Sequence, residues 1–175
     1  MTPPEFSRPE RVDTIGAGER EVTIAAEPAE RAALAQRFAL VSIDALEATL
    51  GVRREAAGIA VRGRVTASVV QACTVTAEPI AVTVDEAVAL LFVDGTDADA
   101  EEIELDEGAL DVIPYEGGAI DLGEAAAETM ALALDPFPRG PGAAAALKAA
   151  GVISEGEEEK PAGALAGLKD LLKKS

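Results

Sequence analysis

The feature that most constrains the fold of this chain is the alternating hydrophobicity of two runs within residues 58–93, on either side of Ala77-Glu78-Pro79. In the first run every second residue is apolar or small: Ile59, Val61, Gly63, Val65, Ala67 and Val69. In the second run one face carries Ile80, Val82, Val84, Val88, Leu90 and Phe92. Side chains alternate across a β-strand, so each run is predicted to be a strand with one buried face. Because Pro79 cannot donate a ladder hydrogen bond, it is placed at the connection of a long antiparallel hairpin or at the first residue of a strand.

Shorter elements are predicted before the hairpin. Residues 20–26 form a strand pattern, and residues 29–37 form an alanine-rich helix pattern after a proline. Residues 44–50 are predicted to form a second short helix, which Gly51 is expected to end.

After the hairpin, the strongest signal is a helix that runs to about residue 134. Asp121 and Glu124 have the spacing of a capping box, with Asp121 as the N-cap. Leu122 follows on the apolar side, and Pro136 biases Asp135 away from helical geometry, so the helix is expected to stop there. This helix is the best candidate to lie across the sheet.

Together these elements predict an α+β fold. Its centre is an antiparallel β-sheet or partial barrel built on the long hairpin and packed by a few helices. The predicted organisation is a loose lead-in at 1–11, the α+β domain at 12–152, a charged linker at 153–161 and a short amphipathic helix at 162–175.

The C-terminal segment 162–175 combines leucines and lysines at helical spacing, and its candidate contact residues are Leu165, Leu168 and Lys169. A helix this short is not stable alone. It is expected either to dock on its own domain or to fold on a partner, and the sequence leaves both alternatives open.

Composition narrows the classes of function. The chain has 175 residues, a formal net charge of -17, one cysteine and no histidine. It therefore has no internal disulfide and no Ser-His-Asp or Cys-His catalysis within one chain. Phosphate-loop, nucleophile-elbow and EF-hand spacings are all missing, so we expect no catalytic residues, no metal and no cofactor. Without a signal-peptide pattern or a long apolar run, the expected location is the cytoplasm, with no membrane partner.

Several segments, in order along the chain, resemble the YceD family, the bacterial large ribosomal RNA subunit accumulation proteins. They are residues 28–38, 63–79, 120–124 and 132–139, and the tail from Lys160 is similar to the family's closing Asn-Pro-Phe-Ala-x-Leu-x-x-Leu-Lys box. The variant looks alphaproteobacterial. The family-motif positions are Cys73, Thr76, Pro79, Asp121, Leu122, Glu124, Asp135 and Pro136.

The resemblance implies a non-catalytic role in the synthesis, processing or stability of 23S ribosomal RNA and in large-subunit biogenesis. Many relatives carry Cys-x-x-Cys at the hairpin, but Thr76 replaces the second cysteine here. A zinc site is therefore not expected, and Cys73 is predicted to be a small buried core residue.

Two modes of action remain open, and neither involves DNA. In the first, the protein contacts 23S rRNA or the pre-large-subunit particle directly, and the candidate RNA-binding residues are Arg53, Arg54, Arg62 and Arg64. In the second, an acidic binding module or chaperone takes up a basic ribosomal protein or assembly factor, and its effect on rRNA is indirect.

Overall fold

The computed structural model describes residues 5–95 and 110–152. A five-stranded sheet has the order β2-β3-β4-β5-β6, formed by Arg20–Ala25, Ser42–Glu55, Gly58–Ala72, Pro79–Asp94 and Asp111–Tyr115. The first four strands pair antiparallel, whereas β6 runs parallel to β5. The sheet is open rather than closed into a barrel, and with its helices it confirms the predicted α+β class.

The long hairpin is confirmed as the centre of the sheet. β4 and β5 pair from Ile59 opposite Phe92 to Ala72 opposite Pro79, so Pro79 begins the second strand as expected. The predicted inward positions Ile59, Val61, Val65, Ala67 and Val69 are buried, while Arg62, Arg64, Thr66 and Ser68 between them are exposed. Two positions depart from the alternation: Ala60 is 1% exposed, and Gly63, predicted to face inward, is exposed. Alternation therefore assigns most positions of β4 to the correct face.

The predicted helix at residues 44–50 is wrong. These residues belong to β3, which extends to Glu55 and pairs with both β2 and β4. Leu46, Ala48, Leu50 and Val52 alternate into the core with at most 2% of their surface exposed. Two hydrogen-bonded neighbours and a buried face outweigh the local helix propensity of Ala, Leu and Glu.

Two helices cover the core face of the sheet. α1 spans Pro28–Arg37, and α2 spans Leu122–Leu132 with Asp121 as the predicted N-cap. α2 buries Leu122, Met130 and three of its alanines against β3, β4 and β5. A third helix, α3, spans Ala143–Ala149. No helix in the described ranges is long and apolar enough to cross a membrane.

Residues 5–11, expected as a loose lead-in, are instead packed into the fold. β1 (Pro9–Arg11) pairs with β7 (Ala119–Asp121) in a second, two-stranded sheet, and Phe6 is completely buried. A Cβ at Gly123 would lie 2.3 Å from the carbonyl oxygen of Phe6, so the N-terminal strand passes directly over the start of α2. Burial of one aromatic side chain stabilises this arrangement by about 1.5–3 kcal/mol.

Candidate functional site

The four candidate RNA-binding arginines lie on two different faces of the sheet. Arg53, Arg62 and Arg64 point to the solvent side of β3 and β4, which we call the open face. Arg54 lies on the core side, where its guanidinium donates hydrogen bonds to the carbonyl oxygens of Val12 and Ile15. It therefore holds the N-terminal segment in place and does not join the other three arginines.

Each arginine on the open face is paired with a carboxylate. Glu55 accepts from both Arg53, at 2.5 Å, and Arg62, at 3.1 Å, while Arg64 lies 3.0 Å from Asp85. The two guanidinium groups, that of Arg53 first, hold the pKa of Glu55 below its ordinary value. These pairs are partly exposed, so each contributes little to stability.

Further acidic side chains border the same arginines. Glu47 lies opposite Thr66, and Glu21 lies opposite Gly51, both on the solvent side of their strands. The three arginines therefore share the open face with at least four carboxylates, those of Glu21, Glu47, Glu55 and Asp85. This part of the surface carries no excess of positive charge.

Cys73 lies in the connection of the hairpin, with 3% of its surface exposed, as predicted for a buried residue. Its sulfur accepts the backbone N–H of Thr76 at 3.4 Å and that of Gly140 at 3.3 Å. Hydrogen bonds from Thr76, from Gly140 and from the backbone of Val75 lower the pKa of Cys73 to about 7. The thiol thus belongs to the joint between the hairpin and the loop after α2, outside the main core cluster.

Thr76 uses its side chain in the same turn. Its hydroxyl donates to a carboxylate oxygen of Glu78 at 3.0 Å, and Ala77 adopts a positive φ of 59° beside it. Within the described residues, no group of three potential ligands comes close enough to hold a metal ion.

Two other family-motif positions, Asp121 and Glu124, join the N-terminal segment and α1 to α2. Asp121 accepts from Ser7 Oγ and Arg8 N–H as well as from the N–H groups of Gly123 and Glu124. Glu124 receives two hydrogen bonds from Arg37, at 2.5 and 2.9 Å. A capping box is present at α1, between Glu27 and Glu30, where the sequence did not predict one.

Asp135 and Pro136 lie in the loop after α2, which forms one wall of a groove. The groove has a volume of about 330 Å³ and is lined by residues from three segments, within 38–40, 71–74 and 131–138. Gln71 donates from Nε2 to the Asp135 carbonyl oxygen at 2.9 Å, and Thr74 N–H donates to the Pro138 carbonyl at 2.9 Å. These bonds fasten the loop to the end of β4.

Large apolar side chains are exposed around this groove. Val41, Leu132 and Phe137 are 57%, 86% and 71% exposed, and each is a chain neighbour of lining residues. Gln71, by contrast, is only 7% exposed, and its Oε1 has no hydrogen-bond partner within the described structure. A buried acceptor without a partner costs about 1–3 kcal/mol.

Sequence reasoning did not find this groove. Its walls come from positions far apart in the chain, and no local sequence pattern marks them. The candidate tail residues Leu165, Leu168 and Lys169 and most of the acidic stretch 94–107 lie outside the described residues.

Comparison with known proteins gives one match. The family model of the large ribosomal RNA subunit accumulation protein YceD matches residues 61–172, which is more than half of the chain. No curated protein and no solved structure matches. The matched region includes most of β4, the whole of β5 and α2 and the loop at Asp135, as well as most of the C-terminal segment.

Proposed function

The chain belongs to the YceD family, and from that premise we propose that it supports the accumulation of large-subunit ribosomal RNA as a non-catalytic factor. It promotes the synthesis, processing or stability of 23S rRNA during biogenesis of the large subunit. The observation that carries this proposal is the family match, which extends over the central hairpin, α2 and the tail. Depletion of the protein is expected to lower the ratio of large-subunit to small-subunit rRNA, and an unchanged ratio would refute this role.

We further propose that the effect on rRNA passes through a protein partner. The arginines of the open face share it with a larger number of carboxylates, and Arg62 and Arg64 already pair with Glu55 and Asp85. RNA binding requires a local excess of positive charge, because phosphates must be neutralised. A net charge of -17 favours instead a basic partner, such as a ribosomal protein or an assembly factor.

Direct RNA contact is the second candidate. It is favoured by one observation, namely that the Arg64–Asp85 pair has both side chains more than half exposed. Such a pair is weak, so a phosphate is able to replace the carboxylate at little cost. The RNA-binding role of Arg53, Arg62 and Arg64 stays a prediction on this ground.

Ultraviolet crosslinking in cells, with recovery of the tagged protein, separates the two modes. Under the proposal, a basic ribosomal protein or assembly factor co-purifies at low salt and is lost as salt is raised, while 23S precursor RNA crosslinks weakly or not at all. Charge reversal by Arg62→Glu with Arg64→Glu is then without effect on RNA recovery.

The matched control is Arg11→Glu with Arg20→Glu, which reverses two exposed, paired arginines away from the open face. Loss of a strong 23S crosslink in the Arg62 and Arg64 variant, but not in this control, would establish direct RNA contact and overturn the protein-mediated mode.

A further inference from the structure

The groove beside Gln71 is a site without an assigned occupant, and its chemistry restricts what can bind there. The lining contains apolar groups such as Phe38, Leu40 and Leu134, and it contains no Lys or Arg. Its polar residues are Gln71, Thr74 and Asp135, of which Asp135 is exposed and carries a carboxylate. A fitting occupant therefore combines an apolar surface with hydrogen-bond donors or positive charge.

The helix ends around the groove also favour a positively charged occupant. α1 ends at Arg37 and α2 at Leu132, so the groove is bordered by the C-terminal ends of both helices. The carbonyl groups at a helix C-terminus carry partial negative charge, which favours cations. The carboxylate of Asp135 and the two helix ends, together with the apolar lining, thus favour a basic, amphipathic segment.

The chain itself contains such a segment. Leu165, Leu168 and Leu172 recur at helical spacing, and Lys169 and Lys173 follow two of them directly. Family matching extends to residue 172, so this segment and the Asp135 loop belong to the same family pattern.

The linker between the described domain and the tail is long enough for the tail to reach the groove. α3 begins shortly after the groove wall at Pro138, and Val152 is the last described residue. An extended residue spans about 3.3–3.6 Å, so a linker of the length of residues 153–161 is able to reach back over roughly 30 Å. A tether of this kind gives a local concentration on the order of millimolar, which a separate partner protein has to exceed.

We propose that the groove is the docking site of the chain's own C-terminal segment, residues 162–175. The leucine face of the segment packs on the apolar lining and on the exposed side chains of Leu132 and Phe137. Its lysines face Asp135 and the helix ends. Docking within the same chain covers the exposed side chains of Leu132 and Phe137 and makes the tail part of the domain. This proposal does not depend on how the protein acts on rRNA.

Tryptophan fluorescence tests the proposal in the full-length protein, because the chain contains no tryptophan. Leu168→Trp places one reporter on the apolar side of the tail, and Lys169→Trp places a matched reporter on the polar side. We expect blue-shifted emission and several-fold weaker quenching by acrylamide for Leu168→Trp, and solvent-like behaviour for Lys169→Trp.

Groove variants in the Leu168→Trp background locate the contact. Phe137→Asp and, separately, Leu132→Asp are expected to move the emission to that of an exposed tryptophan, and both residues are exposed enough to leave the fold intact. Thr83→Asp, which adds the same charge on the exposed side of β5, is expected to change nothing.

Three results would overturn the proposal. Solvent-like emission from the Leu168→Trp protein would mean that the tail is free and available to a partner. A buried reporter that ignores both groove variants would place the tail elsewhere. An emission that reverts to the exposed form on dilution would assign the contact to a second copy of the chain.

Discussion

The Sγ atom of Cys73 accepts the backbone N–H of Gly140 at 3.3 Å, across 67 residues of sequence. This bond joins the connection of the central hairpin to the loop that leaves α2. Thr74 strengthens the same joint, since its N–H and its hydroxyl both donate to the carbonyl oxygen of Pro138. The sulfur therefore has a structural role, because it accepts a hydrogen bond that links two segments of the chain. Neither metal binding nor simple filling of apolar space would need that bond.

The first prediction concerns the thiol itself. Hydrogen bonds to sulfur stabilise the thiolate, so the ultraviolet absorbance of the thiolate is expected to titrate with a midpoint close to the pKa of about 7. Thr76→Val should raise this midpoint, because a hydrogen bond from the Thr76 hydroxyl to the sulfur, made in place of its bond to Glu78, is the largest cause of the lowered pKa. Thr74→Val is the control, since the Thr74 hydroxyl bonds to Pro138 and not to sulfur. Equal midpoints in all three proteins would contradict the assignment.

The same thiol predicts a pH dependence of stability. Its pKa in the folded state is about 7, below the value of about 8.5 expected for an unfolded chain. Thiolate formation therefore contributes stability that is fully present above the unfolded pKa and is lost as the pH falls through the folded pKa. Urea unfolding on either side of this window, at about pH 6 and about pH 9, should show that Cys73→Ala loses more free energy of unfolding at the higher pH. An equal loss at both pH values would argue against it.

A third prediction concerns Asp121, whose carboxylate accepts four hydrogen bonds from the N-terminal segment and the first turn of α2. Asp121→Ala is expected to lower the free energy of unfolding by about 1–3 kcal/mol, because it removes an N-cap and leaves donors without partners. Asp111→Ala, on the exposed side of β6, is the control and should change stability by less than about 0.5 kcal/mol. Similar unfolding midpoints for the two variants would show that the Asp121 contacts add little.

The fourth prediction concerns Gly63, at the middle of β4. A Cβ built there lies 2.1 Å from the carbonyl oxygen of Thr49 and 2.9 Å from the Cα of Leu50, so the strands have to separate. Gly63→Ala is expected to cost about 2 kcal/mol or more, measured by chemical unfolding. Gly18→Ala, which meets no atom within 4 Å, should be close to neutral. A stable Gly63→Ala protein would mean that β3 and β4 are less closely paired at this point.

The fifth prediction is a coupling between α1 and α2. Arg37 forms two hydrogen bonds to Glu124, and both side chains are less than one third exposed. A double-mutant cycle with Arg37→Ala and Glu124→Ala is expected to give a coupling of about 0.5–1 kcal/mol, since a bidentate pair of this exposure is stronger than an open surface pair. The same cycle on Arg11 and Asp13, which are 74% and 61% exposed, should give a value near zero. Equal couplings would contradict this ranking.

The hairpin was predictable because its evidence is local. Alternating side chains between residues 58 and 93 specify which positions are buried, and Val61 and Val65 are inside as that pattern requires. The N-cap at Asp121 was predictable for the same reason, since a cap acts on the next three residues. The prediction for residues 44–50 failed because two neighbouring strands, and not local propensity, decided their conformation.

The candidate surfaces were less predictable. Adjacent residues of a strand point to opposite faces, so alternation alone places Arg53 and Arg54 on different faces of the sheet. The grouping of all four arginines in one candidate surface did not take this into account. The carboxylates that neutralise Arg62 and Arg64 come from β3 and β5, and strand register determines which of them meet. The groove at Gln71 depends on three distant segments and has no signature in the sequence.

The sequence by itself determined the β-hairpin, the start of α2, the lack of histidine-based catalysis and the features that match the YceD family. These follow from side-chain periodicity, short-range hydrogen bonding and composition, which act within a few residues. Only the tertiary structure decided that β3 is a strand, that Phe6 closes the core, and that Gln71 lies buried in a groove wall. Those outcomes depend on contacts between segments that are remote in the chain, where packing and register outweigh local preference.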